Sequence, residues 1–133
     1  MRGAAGTASL DEIIRCLIVD DSVSFLETAA RLLEREGLSV VGKAYTSDDA
    51  LRRSRELQPD VILVDVMLGS ESGIDLARRL TQTDPGAAVI LISTLAHADV
   101  AYLIDDTPVA GFVPKSELSA AAIRRLVSEP PER

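Results

Sequence analysis

Three aspartates stand at the ends of two apolar runs. Cys16-Leu17-Ile18-Val19 closes on Asp20-Asp21, and Val61-Ile62-Leu63-Val64 closes on Asp65. Four apolar residues that stop abruptly at carboxylate read as a buried parallel strand whose C-terminal end opens into a polar site. Two such strands side by side bring three carboxylates to one edge of a sheet, the edge at which open α/β sheets bind ligands. Clustered carboxylates repel one another, and a hard divalent cation relieves the repulsion. Mg²⁺, which demands oxygen ligands in octahedral geometry, is the expected occupant.

Two further strand ends complete the set. The run 87–92 ends on Ser93-Thr94, and the run 109–113 leads into Pro114-Lys115. The chain has only two lysines among fourteen cations, and one of them falls at such an end. Three acids, a hydroxyl pair and an amine suit phosphoryl transfer to a carboxylate. A carboxylate nucleophile forms an acyl phosphate. The transferring group carries its charge on the equatorial oxygens, so catalysis is mostly positioning and neutralisation. Mg²⁺ held by two acids and water would neutralise one oxygen, an ammonium a second, and a hydroxyl would donate to the third.

These residues need strands and helices to deliver them. The apolar runs predict strands at 15–19, 38–44, 61–65, 87–92 and 109–113, the second of them nearer an edge. Helices are expected at 23–36, 48–57, from 73 to about 82, at 97–105 and at 117–128. Asp21 or Ser22 caps the first helix and Gly37 ends it; Ser47 caps the second; Ser72 and Asp75 have capping-box spacing at the third. The inward residues are expected to be Phe25, Ala29, Leu32 and Leu33, then Ala50, Leu51, Ser54 and Leu57, and in the last helix Leu118, Ala122 and Leu126. The loop 66–72 shows no regular pattern. Alternating strands and helices mean a doubly wound five-stranded parallel sheet with helices on both faces.

At 133 residues, 47% hydrophobic and 3% aromatic, the chain is one domain with an aliphatic core. A flexible tail is expected at 1–14 and another at 129–133. A net charge of −7 argues against direct nucleic-acid binding. No stretch has the length of a membrane span and the first ten residues lack a signal-peptide core, so a cytoplasmic location is expected. The lone Cys16 reads as a small core residue. His97 and the arginines 52, 53 and 55 read as solvent-facing.

With LIVDDS at 17–22, VILVDVMLG at 61–69, VILIST at 89–94 and GFVPK at 111–115, the sequence resembles a response-regulator receiver domain of the CheY-like kind. The likeness covers about 15–128 and implies strand order 2-1-3-4-5. It implies roles residue by residue. Asp65 matches the phosphoacceptor. Asp20 and Asp21 match the acids that hold Mg²⁺ together with Asp65 and the backbone carbonyl of Met67. Ser93 matches the switch hydroxyl, Thr94 the position after it, Phe112 the aromatic that changes rotamer with it, and Lys115 the lysine that pairs with phosphoryl oxygens. Gly73 matches a glycine at the loop's end. The implied function is a two-component switch that takes its phosphoryl group from a sensor histidine kinase or phosphotransfer protein. It is a phosphoacceptor that promotes its own chemistry, not a dedicated enzyme. The face at 97–128, with Val100, Tyr102, Leu103 and Ile104, is expected to serve as an interaction or homodimer surface.

Two features depart from the family pattern. Gly69 stands where proline is common. Proline precedes Lys115 instead of following it, and a cis bond at Lys115–Ser116 would cost about 3 kcal/mol. Met67 and Leu95, where the family tunes hydrolysis of the acyl phosphate, are both apolar, so slow self-dephosphorylation is expected. The alternative reading is a pseudo-receiver that binds protein without phosphorylation. A hydrolase of the haloacid-dehalogenase type wants an acid where Met67 stands, and a nucleotide-binding flavodoxin-like site wants a Gly-rich loop where Asp20-Asp21 stand.

Overall fold

The computed structural model describes residues 13–95, 101 and 106–128. Its elements are β1 (Arg15–Val19), α1 (Val23–Arg35), β2 (Ser39–Ala44), α2 (Ser47–Leu57), β3 (Val61–Asp65), α3 (Gly73–Thr83), β4 (Ala88–Ser93), β5 (Gly111–Pro114) and α4 (Ala120–Ser128). The strands form one parallel sheet in the order β2-β1-β3-β4-β5, which is the doubly wound arrangement with β2 at an edge. The helix expected at 97–105, with His97, Val100, Tyr102, Leu103 and Ile104, lies outside the described residues apart from Ala101. So do 1–12 and 129–133. Among the described residues no helix is long and apolar enough to cross a membrane.

Each buried strand feeds both faces by simple alternation. Leu17, Val19, Ile62, Val64 and Leu91 pack beneath α2 and α3, against Leu51, Leu76 and Leu80. Ile18, Leu63, Ile90 and Ile92 pack beneath α1 and α4, against Leu26, Leu33 and Ile123. Burying one such Leu or Ile contributes about 1.5–3 kcal/mol. Cys16 is wholly buried, and that burial pushes its thiol up to about 12, so it behaves as a core residue.

Several local expectations need correction. The buried face of α1 is Leu26, Ala29, Ala30 and Leu33, while Phe25 and Leu32 are only half-buried. The cap of α2 is Thr46, whose hydroxyl accepts from Asp49 N–H at 3.1 Å. The loop after β3 is not irregular, since Met67–Leu68 and Glu71–Ser72 pair as a short antiparallel ladder. The last strand is Gly111–Pro114 instead of 109–113. A 3₁₀ turn at Lys115–Glu117 then precedes α4, which starts at Ala120 and buries Ala120 and Ile123. Other expectations hold. Ser22 caps α1 through Phe25 N–H at 3.2 Å, and Ser72 caps α3 through Asp75 N–H at 3.2 Å. Gly37, just past α1, has φ of 104°, where glycine pays no steric cost.

One contact sets how α3 meets the sheet. The Gly73 N–H donates to the Val66 carbonyl at 2.8 Å. A Cβ at residue 73 would lie 1.7 Å from the Asp65 carbonyl oxygen and 2.8 Å from that of Val66. Both obstacles are backbone, so a side chain here must push α3 off β3. Gly73→Ala is expected to cost about 3 kcal/mol or more, the upper end of overpacking effects, read as a lowered urea midpoint.

Candidate functional site

The sheet register delivers the acids. Val19 pairs with Val64 and Asp65 with Ile92, so Asp20 follows β1 directly beside the end of β3. Carboxylate oxygens of Asp20, Asp21 and Asp65 all lie within 4.8 Å of one another. Asp20 is wholly buried, Asp65 is 7% exposed, and Asp21 faces solvent. Asp20 Oδ1 accepts from Ser22 N–H at 2.8 Å, and Asp65 Oδ1 accepts from Met67 N–H at 3.2 Å. The other oxygen of each turns toward one amine. Lys115 Nζ lies 2.6 Å from Asp20 Oδ2 and 3.1 Å from Asp65 Oδ2.

The lysine reaches this position from the start of the 3₁₀ turn, and no described peptide bond is cis. Pro114 before it does not hinder its reach. Its register follows from the pairing of Ser93 with Pro114, which sets Lys115 just past the end of β5. Ser93 is buried, and its Oγ accepts from Leu95 N–H at 3.0 Å. Among the described residues no hydrogen bond joins it to Asp65 or Lys115. Thr94 is exposed. Phe112 pairs with Leu91 and packs, half-buried, against the apolar cluster under α2 and α3. The Met67 side chain is 62% exposed and that of Leu95 43%. Gly69 has φ of 60°, and a Cβ there would lie 3.4 Å from Asp21 Oδ2, so the loop folds down over the acids.

One partner was not legible in the sequence. Phe25, expected among the core residues of α1, lies with its ring centroid 4.4 Å from Lys115 Nζ. The available signal was an aromatic in the first turn after the acid pair, in a chain that has only four aromatics.

One ammonium cannot balance three carboxylates. Three carboxylates whose oxygens converge within one ion's reach, two of them buried, fit a hard divalent cation. Asp20 and Asp65 would hold it from the sheet edge and Asp21 from the solvent side.

A family model described as response regulator receiver domain matches residues 16–127. The chain belongs to this family. The receiver is 31% identical over 118 residues to response regulator GacA of Pseudomonas aeruginosa, covering 86% of this chain and 55% of that protein, so it spans about half the length of that relative. The signal receiver domain of the putative response regulator NarL from Mycobacterium tuberculosis superposes with a TM-score of 0.78 at 26% identity, over 90% of this chain and 99% of that one. A response regulator from Burkholderia pseudomallei, solved with a phosphorylated aspartic acid, calcium ion and citrate, superposes with a TM-score of 0.75 at 27% identity, over 85% of this chain and 66% of that one. The intact acid pocket and its lysine disfavour a pseudo-receiver, since neither Gly69 nor Pro114 disrupts them.

The site's electrostatics can be checked without any ligand. Burial raises the Asp65 carboxyl above the usual carboxylate range, and the charge of Asp20 adds to this. The Met67 N–H and Lys115 pull the other way without cancelling it. Burial pulls the Lys115 ammonium down, but Asp20 and Asp65 outweigh it and hold the amine above its ordinary value. A raised carboxyl means that the folded chain binds this proton more tightly than the unfolded chain. Stability from this group is present below the usual carboxylate value and is lost as pH rises through the raised one. Asp65→Asn is therefore expected to be more stable than the parent near neutral pH, in metal-free buffer. The gain should vanish as pH falls into the ordinary carboxylate range, as read by denaturation midpoints across pH.

Proposed function

We propose that this receiver accepts a phosphoryl group on Asp65 from a sensor histidine kinase or phosphotransfer protein and changes the face it presents to a partner. The observation that carries the reading is the Lys115 amine shared between Asp20 and Asp65 beside an exposed third acid. Asp65 is the nucleophile: its carboxylate oxygen forms a bond to phosphorus as the donor's P–N bond breaks, leaving an acyl phosphate. Lys115 stays charged throughout and moves from the carboxylate to the incoming phosphoryl oxygens. Ser93 gives up its Leu95 N–H partner and donates a hydrogen bond from its hydroxyl to a phosphoryl oxygen, keeping its proton. Phe112, on the neighbouring strand, follows that movement. When bound by Asp20, Asp21, Asp65 and the Met67 carbonyl, Mg²⁺ supplies the charge neutralisation that one amine cannot. The domain spans 15–128, works in the cytoplasm without direct nucleic-acid contact, and is a phosphoacceptor instead of a dedicated enzyme. The region 97–128 carries the output contacts, with a second copy or another protein.

The Burkholderia relative with its phosphorylated aspartic acid supports this reading by similarity. Incubation with acetyl phosphate and Mg²⁺ is expected to add one phosphoryl group by intact mass. Asp65→Asn should abolish the adduct and chelation of the metal should suppress it. A parent chain that stays unmodified under these conditions would reject the reading.

The apolar side chains of Met67 and Leu95 cannot orient an attacking water. The acyl phosphate is accordingly expected to last hours, not seconds, after removal of the donor in Mg²⁺, followed by loss of the phosphorylated mass.

A further inference from the structure

Phe25 is half-buried, packed at the margin of the apolar cluster beneath α1 and α4. It sits in the first turn of α1, and its own N–H donates to the capping Ser22 Oγ at 3.2 Å. Ser22 N–H in turn donates to Asp20 Oδ1 at 2.8 Å. The other Asp20 oxygen lies 2.6 Å from Lys115 Nζ, and the Phe25 ring centroid lies 4.4 Å from that same nitrogen. The contacts form a closed circuit from Asp20 through the helix cap to the ring, and from the ring through the amine back to Asp20. A lysine ammonium has three N–H bonds. Two sides of it meet Asp20 and Asp65, and a third meets a ring face.

A ring face differs from any other neighbour the amine could have there. It attracts a cation by its quadrupole. It also carries no lone pair that would compete with a phosphoryl oxygen for the N–H bonds, and it excludes water from that side. We propose that Phe25 is a positioning residue for phosphoryl transfer, its ring holding the Lys115 amine over the Asp20–Asp65 pair and keeping its charge available to the incoming group. The inference rests on the reading of Asp65 as acceptor. It assigns to the first turn of α1 a part in the chemistry that Lys115 performs.

The test uses the full chain with Phe25→Leu and Phe25→Tyr, each alone and with Lys115→Met. Two properties are measured: the NMR shift of the Lys115 side-chain CεH₂ protons, and the rate of Mg²⁺-dependent phosphorylation by acetyl phosphate. The ring should shift those protons upfield in the parent and in Phe25→Tyr. They should return to ordinary lysine positions in Phe25→Leu. Phosphorylation should slow about threefold to tenfold in Phe25→Leu, the range of a partly exposed cation–π contact, and stay near the parent rate in Phe25→Tyr. With Lys115→Met, Phe25→Leu should bring no further loss. Equal loss in both backgrounds, or unshifted lysine protons in the parent, would overturn the proposal. Should Phe25→Leu fail to fold, Phe25→Met fills similar space without a ring face and replaces it. If the parent takes no phosphoryl group, the assignment of Asp65 fails, while the proton shifts still decide whether the ring holds the amine.

Discussion

An unequal charge balance governs this molecule. Among the described residues two buried carboxylates share one ammonium beside a third, exposed carboxylate, and the sheet holds them too close to separate. Burial magnifies each of these interactions because the surroundings screen them poorly. The folded chain therefore carries an unmet demand for positive charge at one place on its surface. A demand of this kind makes a site receptive: an arriving cation, or an arriving group that brings one, finds energy already stored for it. The aliphatic core pays for this tension elsewhere in the fold.

Everything else in the architecture keeps that balance from relaxing. Parallel connectivity gives β1, β3, β4 and β5 a common edge, and the pairings Val19 with Val64 and Asp65 with Ile92 bring the acids level. Two apolar layers, one beneath α2 and α3 and the other beneath α1 and α4, clamp the strands from both sides. Side chains outside the sheet then finish the geometry. Ser22 ties Asp20 to the first helix, the Met67 N–H orients Asp65, and the turn at residue 115 aims the lysine inward.

How much of this could be read in the chain beforehand follows from the range of each interaction. The strands at 15–19 and 61–65 were legible because four consecutive aliphatic residues and a terminal acid are a local signal. The convergence of Asp20, Asp21 and Asp65 followed from parallel connectivity, a rule of topology rather than of sequence. Lys115 reaches both acids with the proline before it and no cis bond after it. The two-residue ladder after β3 was not legible, because pairs so short have no periodicity. Thr46 was passed over for Ser47 because both are good caps and only backbone geometry chooses between them. The buried face of α1 is centred on Leu26, Ala29, Ala30 and Leu33, with Phe25 at its margin and Leu32 off it. Phe25 does pack, half-buried, against the cluster beneath α1 and α4, as helical spacing implied; what spacing does not carry is the charged neighbour on the ring's other side. That neighbour lies ninety residues along the chain.

The close approach of α3 to β3 also bears on how such a chain can vary. The segment from Val66 to Gly73 is pinned at both ends: its first carbonyl receives the last amide, and the helix begins flush against the strand. The ladder within it fixes the path between those pins. A loop closed in this way has no slack to absorb an extra residue. Variation along the rim beside Asp65 is therefore confined to exchanging side chains at constant length.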